Sequence, residues 1–558
     1  MAVDAFLAKH IPSVDDVQRR SQLIWWLMYV GLIATTGMLL LFMHTQGPSW
    51  SMIAWIIYLM GMVAIFYNPR YGVYLILFLT LMGDQAMLYW YPFTKNFSSG
   101  ESLMYLHGSV NLSPLESYIA LTLFVWFGRM AMERKFSFYV GPILIPAMLF
   151  AGFITLGLVY GISRGGVLSI ALWEVRSIYY LPVMLILTGN LILTSVHVNR
   201  MMWLMVIALG YKGIMGIVHV ATQLNWDLSG VERIAEHSMS IQFNAFFMLL
   251  ITVWFYHDSA LKRLILPMLA PFVLYSFFAN QRRASFLTLG LGVMVVLSML
   301  YRENRKLFFT LVPSGAGVFL VYLAAFWNNT GAIGILARAV RSVIGQPTAR
   351  DAASNIYRDI ENVNTMFNIK ASPLFGIGFG NKFYMVVPMP DISFFIWWEY
   401  ITHNSIMWIW MQAGVGAFFS MLLLTGMTMI VGGRAVWNMP AGPLRAVALT
   451  ATLYVLMHFT YAYADMSWEV ISMTFVGTMM GLINALDPIS QRTLPVPVSR
   501  WPWVPAHDLP PSKRWPWVPD TGVIPPYPSP KVWPWPVPAY RAAQMDRAKE
   551  RAAHATDQ

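Results

Sequence analysis

The sequence of 558 residues contains no cysteine, so disulfides, thiolate metal sites and cysteine nucleophiles are all excluded. Charge is scarce too: Asp, Glu, Lys and Arg make up 11% of the residues, against roughly a quarter in ordinary soluble domains. With 57% of the residues hydrophobic, that scarcity argues against a soluble fold, because too little polar surface is left to cover the apolar mass. The first residues lack the basic, apolar and small-residue succession of a cleaved signal peptide, so the first apolar run is expected to be retained.

What the sequence has is long apolar runs, at 22–44, 50–67, 72–91, 115–132, 140–160, 177–195, 201–222, 239–257, 263–280, 284–301, 307–327, 405–431, 444–464 and 467–486. At ~20 residues per crossing, the chain has room for about fourteen spans. Backbone groups in lipid must be satisfied within the segment, so the runs predict helices and an all-α integral membrane protein. The expected organisation is a cytoplasmic segment at 1–21, a transmembrane bundle at 22–327, an outer loop at 328–404, three further transmembrane helices at 405–486, and a tail at 487–558.

The net charge of +11 raises the question of nucleic acid, but the basic residues sit in short connections between spans and not in a patch. Such placement sets membrane orientation and predicts no nucleic-acid partner. Arg19, Arg20, Arg70, Arg129, Arg134, Lys135, Arg200, Lys262, Arg263, Arg302, Arg305, Lys306, Arg434 and Arg445 fall on one side. That side is expected to be cytoplasmic, with both termini inside. On the opposite side lie a polar loop at 92–114, with Lys95 and Glu101 in it and Glu116 just beyond, and the long loop at 328–404. The latter is amphipathic over Ile335–Ile344 and Ile356–Ile369.

The tail holds about half of the 33 prolines and repeats a short unit: Arg500-Trp501-Pro502-Trp503-Val504-Pro505, then Arg514 to Pro519, then a looser copy from Lys531 to Pro538. Proline at this density forbids helix and favours extended or disordered chain. Tryptophan beside Arg or Lys suits the headgroup zone, which makes membrane lipids one expected partner and a cytoplasmic protein that docks on the tail another.

The informative charges are basic residues on the outer side: Arg164, Arg176, Arg233, Arg282 and Arg283 in short connections or at helix ends, and Arg338, Arg341, Arg350 and Arg358 in the long loop. They run against the orientation rule, so something must compensate them. One reading pairs each with a neighbouring acid: Arg176 with Glu174, Arg233 with Glu232 or Glu236, Arg358 with Asp359 or Glu361. The other has several guanidiniums converge into a pocket for a lipid-linked pyrophosphate, which their planar forks suit. Arg282 and Arg283 have no acidic sequence neighbour. Lys212 lies inside an apolar run with His219 two turns on, marking either a pathway or a structural ion pair. His458, Asp465 and Glu469 are expected near the outer end of the last hairpin.

In the long loop, Gly376, Gly378 and Gly380 alternate within Pro373-Leu374-Phe375-Gly376-Ile377-Gly378-Phe379-Gly380, which allows positive φ and close backbone approach. Further on, Thr402-His403-Asn404-Ser405 precedes an apolar run, so His403 is expected at a helix start, where the positive helix end favours neutral imidazole.

These features together resemble the O-antigen ligase and O-antigen polymerase family. The resemblance rests on Pro373 to Gly380, on His403-Asn404-Ser405, on Gln412-Ala413-Gly414-Val415-Gly416, on Arg283-Ala284 between two spans, and on Arg358 before the glycine-rich string. It covers 230–430 in detail. The resemblance implies a metal-independent, cofactor-free, inverting glycosyltransferase of the bacterial inner membrane. Its donor would be an undecaprenyl-pyrophosphate-linked glycan, and its acceptor a growing glycan or lipid A-core. It implies that Arg283 and Arg358, with Arg282 and Arg233 nearby, hold the pyrophosphate, and that His403 orients or deprotonates the acceptor hydroxyl. The Pro/Trp tail and the greater length depart from the family and leave the acceptor open. A transporter or flippase of a lipid-linked or anionic substrate is the alternative, and a scaffold built on the tail explains only the tail.

Overall fold

The computed structural model describes most of residues 50–493, with scattered positions between 26 and 41; residues 85–92, 94, 101, 135, 229–230, 232, 330–333, 346–348, 391–396 and 494–558 lie outside the description. The tail and most of the run at 22–44 therefore fall outside it. The described residues contain helices and no strand. In chain order the helices are α1 (Trp50–Tyr67), α2 (Arg70–Met82), α3 (Pro114–Met132), α4 (Gly141–Ser163), α5 (Leu168–Leu191), α6 (Ser195–Thr222), α7 (His237–Phe255) and α8 (Ala260–Ala279). They continue as α9 (Arg283–Glu303), α10 (Arg305–Phe326), α11 (Ile335–Ile344), α12 (Ala349–Ala371), α13 (Ser405–Asn438), α14 (Pro443–Ala464) and α15 (Val470–Thr493).

Among the described residues, ten helices are long and apolar enough to cross a membrane: α4 to α10 and α13 to α15. α1 and α2 are apolar but shorter. The last helix runs on to Thr493, so the tail boundary at 487 falls inside it. Within the run at 72–91 the helix ends at Met82, Gly83 and Asp84 lie beyond it, and 85–91 fall outside the described residues.

Several starts lie earlier than the apolar runs suggest. α5 begins at Leu168 instead of 177 and thereby takes in Glu174 and Arg176. α6 begins at Ser195 because the Thr194 side chain accepts from the His197 N–H and supplies a cap. α3 opens with a capping box in which Ser113 accepts from the Glu116 N–H while Glu116 accepts from the Ser113 N–H.

Close helix pairs use small residues, as expected where lipid supplies no hydrophobic push. On α15, Gly477 and Gly481 are one turn apart, and a Cβ on Gly477 would stand 2.3 Å from the Leu181 carbonyl of α5. α13 packs along α4, and α14 lies against α7, α9, α13 and α15. α10 buries none of its residues.

The two ends of the bundle differ. At one end, cations answer the carbonyl ends of helices: Arg70 Nε donates to Leu191 O at 2.9 Å, and Arg129 Nη2 to Phe66 O and Tyr67 O at 2.8 and 2.6 Å. Arg445 pairs with Glu303 at 2.6 Å and Lys262 with Asp258 at 2.7 Å at that same end. The starts of α7, α9 and α13, the 465–469 turn and α12 gather at the other.

Candidate functional site

The site is built on α12. Asn355, Arg358 and Glu361 stand one turn apart, and each reaches a different part of the chain. Asn355 Oδ1 accepts from Arg283 Nη2 at 3.1 Å. Arg358 Nη2 lies 4.0 Å from Asp465 Oδ1. Glu361, buried, accepts the His403 backbone N–H at 2.8 Å and faces His403 Nδ1 at 3.0 and 3.2 Å. The starts of α9 and α13 and the α14–α15 turn are thus brought to one face of a single helix.

His403 is oriented from three sides. Glu361 holds its backbone and its Nδ1, so the carboxylate selects the tautomer with hydrogen on Nδ1 and leaves a lone pair on Nε2. The Tyr357 ring meets the imidazole edge-on, with centroids 5.7 Å apart. Asn404 caps α13 by accepting the Met407 N–H at 3.1 Å, while its Nδ2, buried, has no hydrogen-bond partner among the described residues. Burial and the neighbouring Glu361 charge push the Tyr357 hydroxyl above its ordinary value, so it stays protonated. Ser405 ties this helix start to the last hairpin, donating to Asp465 O at 3.1 Å and accepting the Ser467 N–H at 3.1 Å.

Asp465 is the buried anion of the group. Its Oδ2 accepts from the Tyr461 hydroxyl at 3.0 Å, and its Oδ1 lies 3.6 Å from His237 Nδ1, which is long for a hydrogen bond. His237 Nε2 meets Arg282 Nη2 at 2.7 Å; a guanidinium only donates, so Nε2 accepts and the ring hydrogen sits on Nδ1, facing Asp465. Burial alone would raise the Asp465 carboxyl, but His237, Arg282 and Arg358 hold it well below the ordinary carboxylate range. Asp465 therefore stays ionised between two arginines and a histidine.

Arg282 is aimed by the turn that precedes it. Gln281 adopts φ 52, the left-handed conformation that ends a helix, and reverses the chain between α8 and α9. Buried Asn280 staples that turn: its Oδ1 accepts from Ile234 and Ala235 N–H at 3.1 Å, and its Nδ2 donates to Ser240 Oγ at 2.9 Å. Arg233 is exposed between α6 and α7, and its charge reaches Glu469 of the 465–469 turn.

The glycine-rich string is a clasp between helices. α13 is broken at Gly414 (φ 77, ψ −176), which frees the Met411 and Gln412 carbonyls. Ile377 and Gly378 N–H donate to them at 2.7 and 3.0 Å, and Val415 N–H donates back to Pro373 O at 3.0 Å. Gly376, Gly378 and Gly380 have φ of +72, +85 and +82. A Cβ on Gly378 would lie 2.3 Å from Gly161 Cα of α4. Gly380 N–H donates to the buried Glu174 Oε2 at 2.6 Å. Gly376 and Gly378 to Gly380 are buried against α4, α5 and α13, while Pro373, Leu374 and Phe375 are exposed, and the part of the string in the site is to hold the frame.

Arg176 pairs with Glu116 of α3, not with Glu174. Lys212 is buried, with Nζ 3.1 Å from Gln242 Oε1 and 4.0 Å from Asp84 Oδ2. His458 is buried within α14, and among the described residues neither ring nitrogen is hydrogen-bonded. Sequence reasoning singled out Arg282, Arg283, Arg358 and His403, and the fold gathers all four at one end. It missed Asn355, Tyr357 and His237, and one of its two readings offered Glu361 or Asp359 as the partner of Arg358; the sequence signal for Asn355 and Glu361 is the one-turn spacing of 355, 358 and 361. Compared with known proteins, the chain matches no family model and no curated relative.

Proposed function

We propose that the protein is a membrane glycosyltransferase that moves a glycan from undecaprenyl pyrophosphate to an acceptor hydroxyl on the outer face of the inner membrane, in the manner of an O-antigen polymerase or ligase. On this reading the membrane holds about fourteen spans, with both termini cytoplasmic. The observation that carries the reading is the convergence on α12: Arg283 through Asn355, Arg358 beside Asp465, and His403 oriented by Glu361.

The acceptor oxygen attacks the anomeric carbon, the bond from that carbon to the pyrophosphate oxygen breaks, and the pyrophosphate departs with the electron pair. The acceptor proton passes to His403 Nε2, the nitrogen that Glu361 leaves with a lone pair. A departing pyrophosphate carries more charge than one guanidinium neutralises, and fixed cations stabilise it where it develops. Asp465 keeps Arg358 and Arg282 in place, so that little reorganisation remains when the donor arrives.

A second reading has one observation in its favour. Lys212 and Asp84 form a buried charged contact inside the bundle, the kind of pair a transporter uses. Purified protein incubated with a defined undecaprenyl-pyrophosphate oligosaccharide and a glycan acceptor distinguishes the two. Lengthened product with release of lipid pyrophosphate supports transfer; movement of the donor across a vesicle membrane without product supports the transporter.

A further inference from the structure

α11 carries Arg338 and Arg341 one turn apart, both half-buried. Arg341 Nη1 donates to the Trp327 carbonyl at 2.6 Å, which fixes it where α10 ends. Arg338 lies near Tyr275 of α8, whose ring meets Trp226 edge-on at 6.1 Å. Among the described residues no carboxylate pairs with either guanidinium, and the charged or titratable groups acting on Arg338 are Arg341 and the Tyr275 hydroxyl. Burial and then Arg341 push the Arg338 guanidinium down from its ordinary value. Two partly desolvated cations side by side, with no carboxylate paired to either among the described residues, are unfavourable, and an anion from outside the chain would relieve them.

The setting narrows that anion. α11 packs on α8, α9 and α10, and α10 buries none of its residues, so this flank of the bundle is open to lipid. A Trp–Tyr pair beside the arginines suits the headgroup layer. A guanidinium fork takes two phosphate oxygens at once. We propose that Arg338 and Arg341 form a binding site for the phosphate of an anionic phospholipid headgroup, on the flank made by α8, α10 and α11. The bound headgroup supplies a counter-charge to the two guanidiniums, and it anchors α11 at the membrane surface.

Native mass spectrometry of the full-length protein tests this, with phosphatidylglycerol, phosphatidylcholine and undecaprenyl pyrophosphate each added to delipidated protein. The expected result is retention of phosphatidylglycerol about tenfold or more above phosphatidylcholine, a difference of about 1.4 kcal/mol. That preference is lost in the variant carrying Arg338→Gln and Arg341→Gln. It is kept in Arg164→Gln, which removes an exposed arginine from the same end of the bundle. Arg338→Lys leaves the Arg341 contact with Trp327 intact and should lose most of the preference, since the fork is gone; it serves as the second test if the double variant fails to insert. Equal retention of the two phospholipids by native protein, or an unchanged preference in Arg338→Lys or the double variant, overturns the proposal. So does retention of undecaprenyl pyrophosphate in place of phosphatidylglycerol that disappears in the double variant, which would assign the arginines to the donor.

Discussion

On the proposed function, Arg283 and Arg358 each use a guanidinium's geometry as well as its charge. Lysine keeps the charge and loses the planar fork, so Arg283→Lys and Arg358→Lys should each lower transfer by about 10²-fold or more with insertion unchanged, a size typical for loss of one transition-state donor. Turnover of purified variants against native protein checks it. Asp465 gives a pH signature. Its carboxyl is held below its ordinary value of 3.8, so its share of stability is fully present above that value and is lost as pH falls through the lower, folded value. The difference in thermal stability between native protein and Asp465→Asn should therefore stay constant from pH 7 down to about 5 and shrink only below about 4. A difference that shrinks between pH 7 and 6 would point to histidine titration instead. At this scale the sequence singled out arginines and a histidine that the fold brings to one end, but not what each of them touches. Arg176 was matched to Glu174, but residues two apart on a helix face different ways, and its partner is Glu116 on another helix. Glu361 stands near Arg358 in sequence, yet it turns to His403, 42 positions away.

Among the elements, the glycine clasp matters most, because it holds the broken α13 and thereby the start that presents His403. Gly378→Ala forces a side chain onto φ +85 and a Cβ to 2.3 Å from Gly161 Cα. The backbone alone should cost about 1–3 kcal/mol, with the steric conflict in addition. The expected outcome is a lower melting temperature in detergent and less folded protein, with activity per folded molecule retained if the clasp is purely a frame. The apolar runs located α4 and α7 to α10 within a few residues, because lipid forces every buried backbone group into helix. They missed the early start of α5, since charged Glu174 and Arg176 read as a loop in sequence and are tolerated in the helix through partners on other elements. The amphipathic pattern found the core of α11 and α12 but not the alignment of α12 with three distant segments, which only packing decides.

The described helical bundle is polarised, with cations answering helix carbonyls at one end and an arginine–histidine group around a buried aspartate at the other. That polarity was legible from alternate connections, because the distribution of Lys and Arg is itself the orientation signal. In a chain without cysteine, single substitutions report it cleanly. Ser99→Cys and Ser354→Cys should react with a membrane-impermeant maleimide from the periplasm, and Ser259→Cys only after permeabilisation. The reverse pattern would place the group on the cytoplasmic face and rule out periplasmic transfer.

The central claim, that His403 accepts the acceptor proton beside a pyrophosphate held by arginines, is tested most directly by single-turnover transfer with purified His403→Ala. Native protein and variant would be loaded with a defined undecaprenyl-pyrophosphate oligosaccharide, and product formation and donor binding measured on the same preparations. Donor affinity should be unchanged and transfer should fall by about 10²–10⁴-fold, the usual contribution of a general base. Near-normal transfer by a correctly inserted His403→Ala would contradict the account.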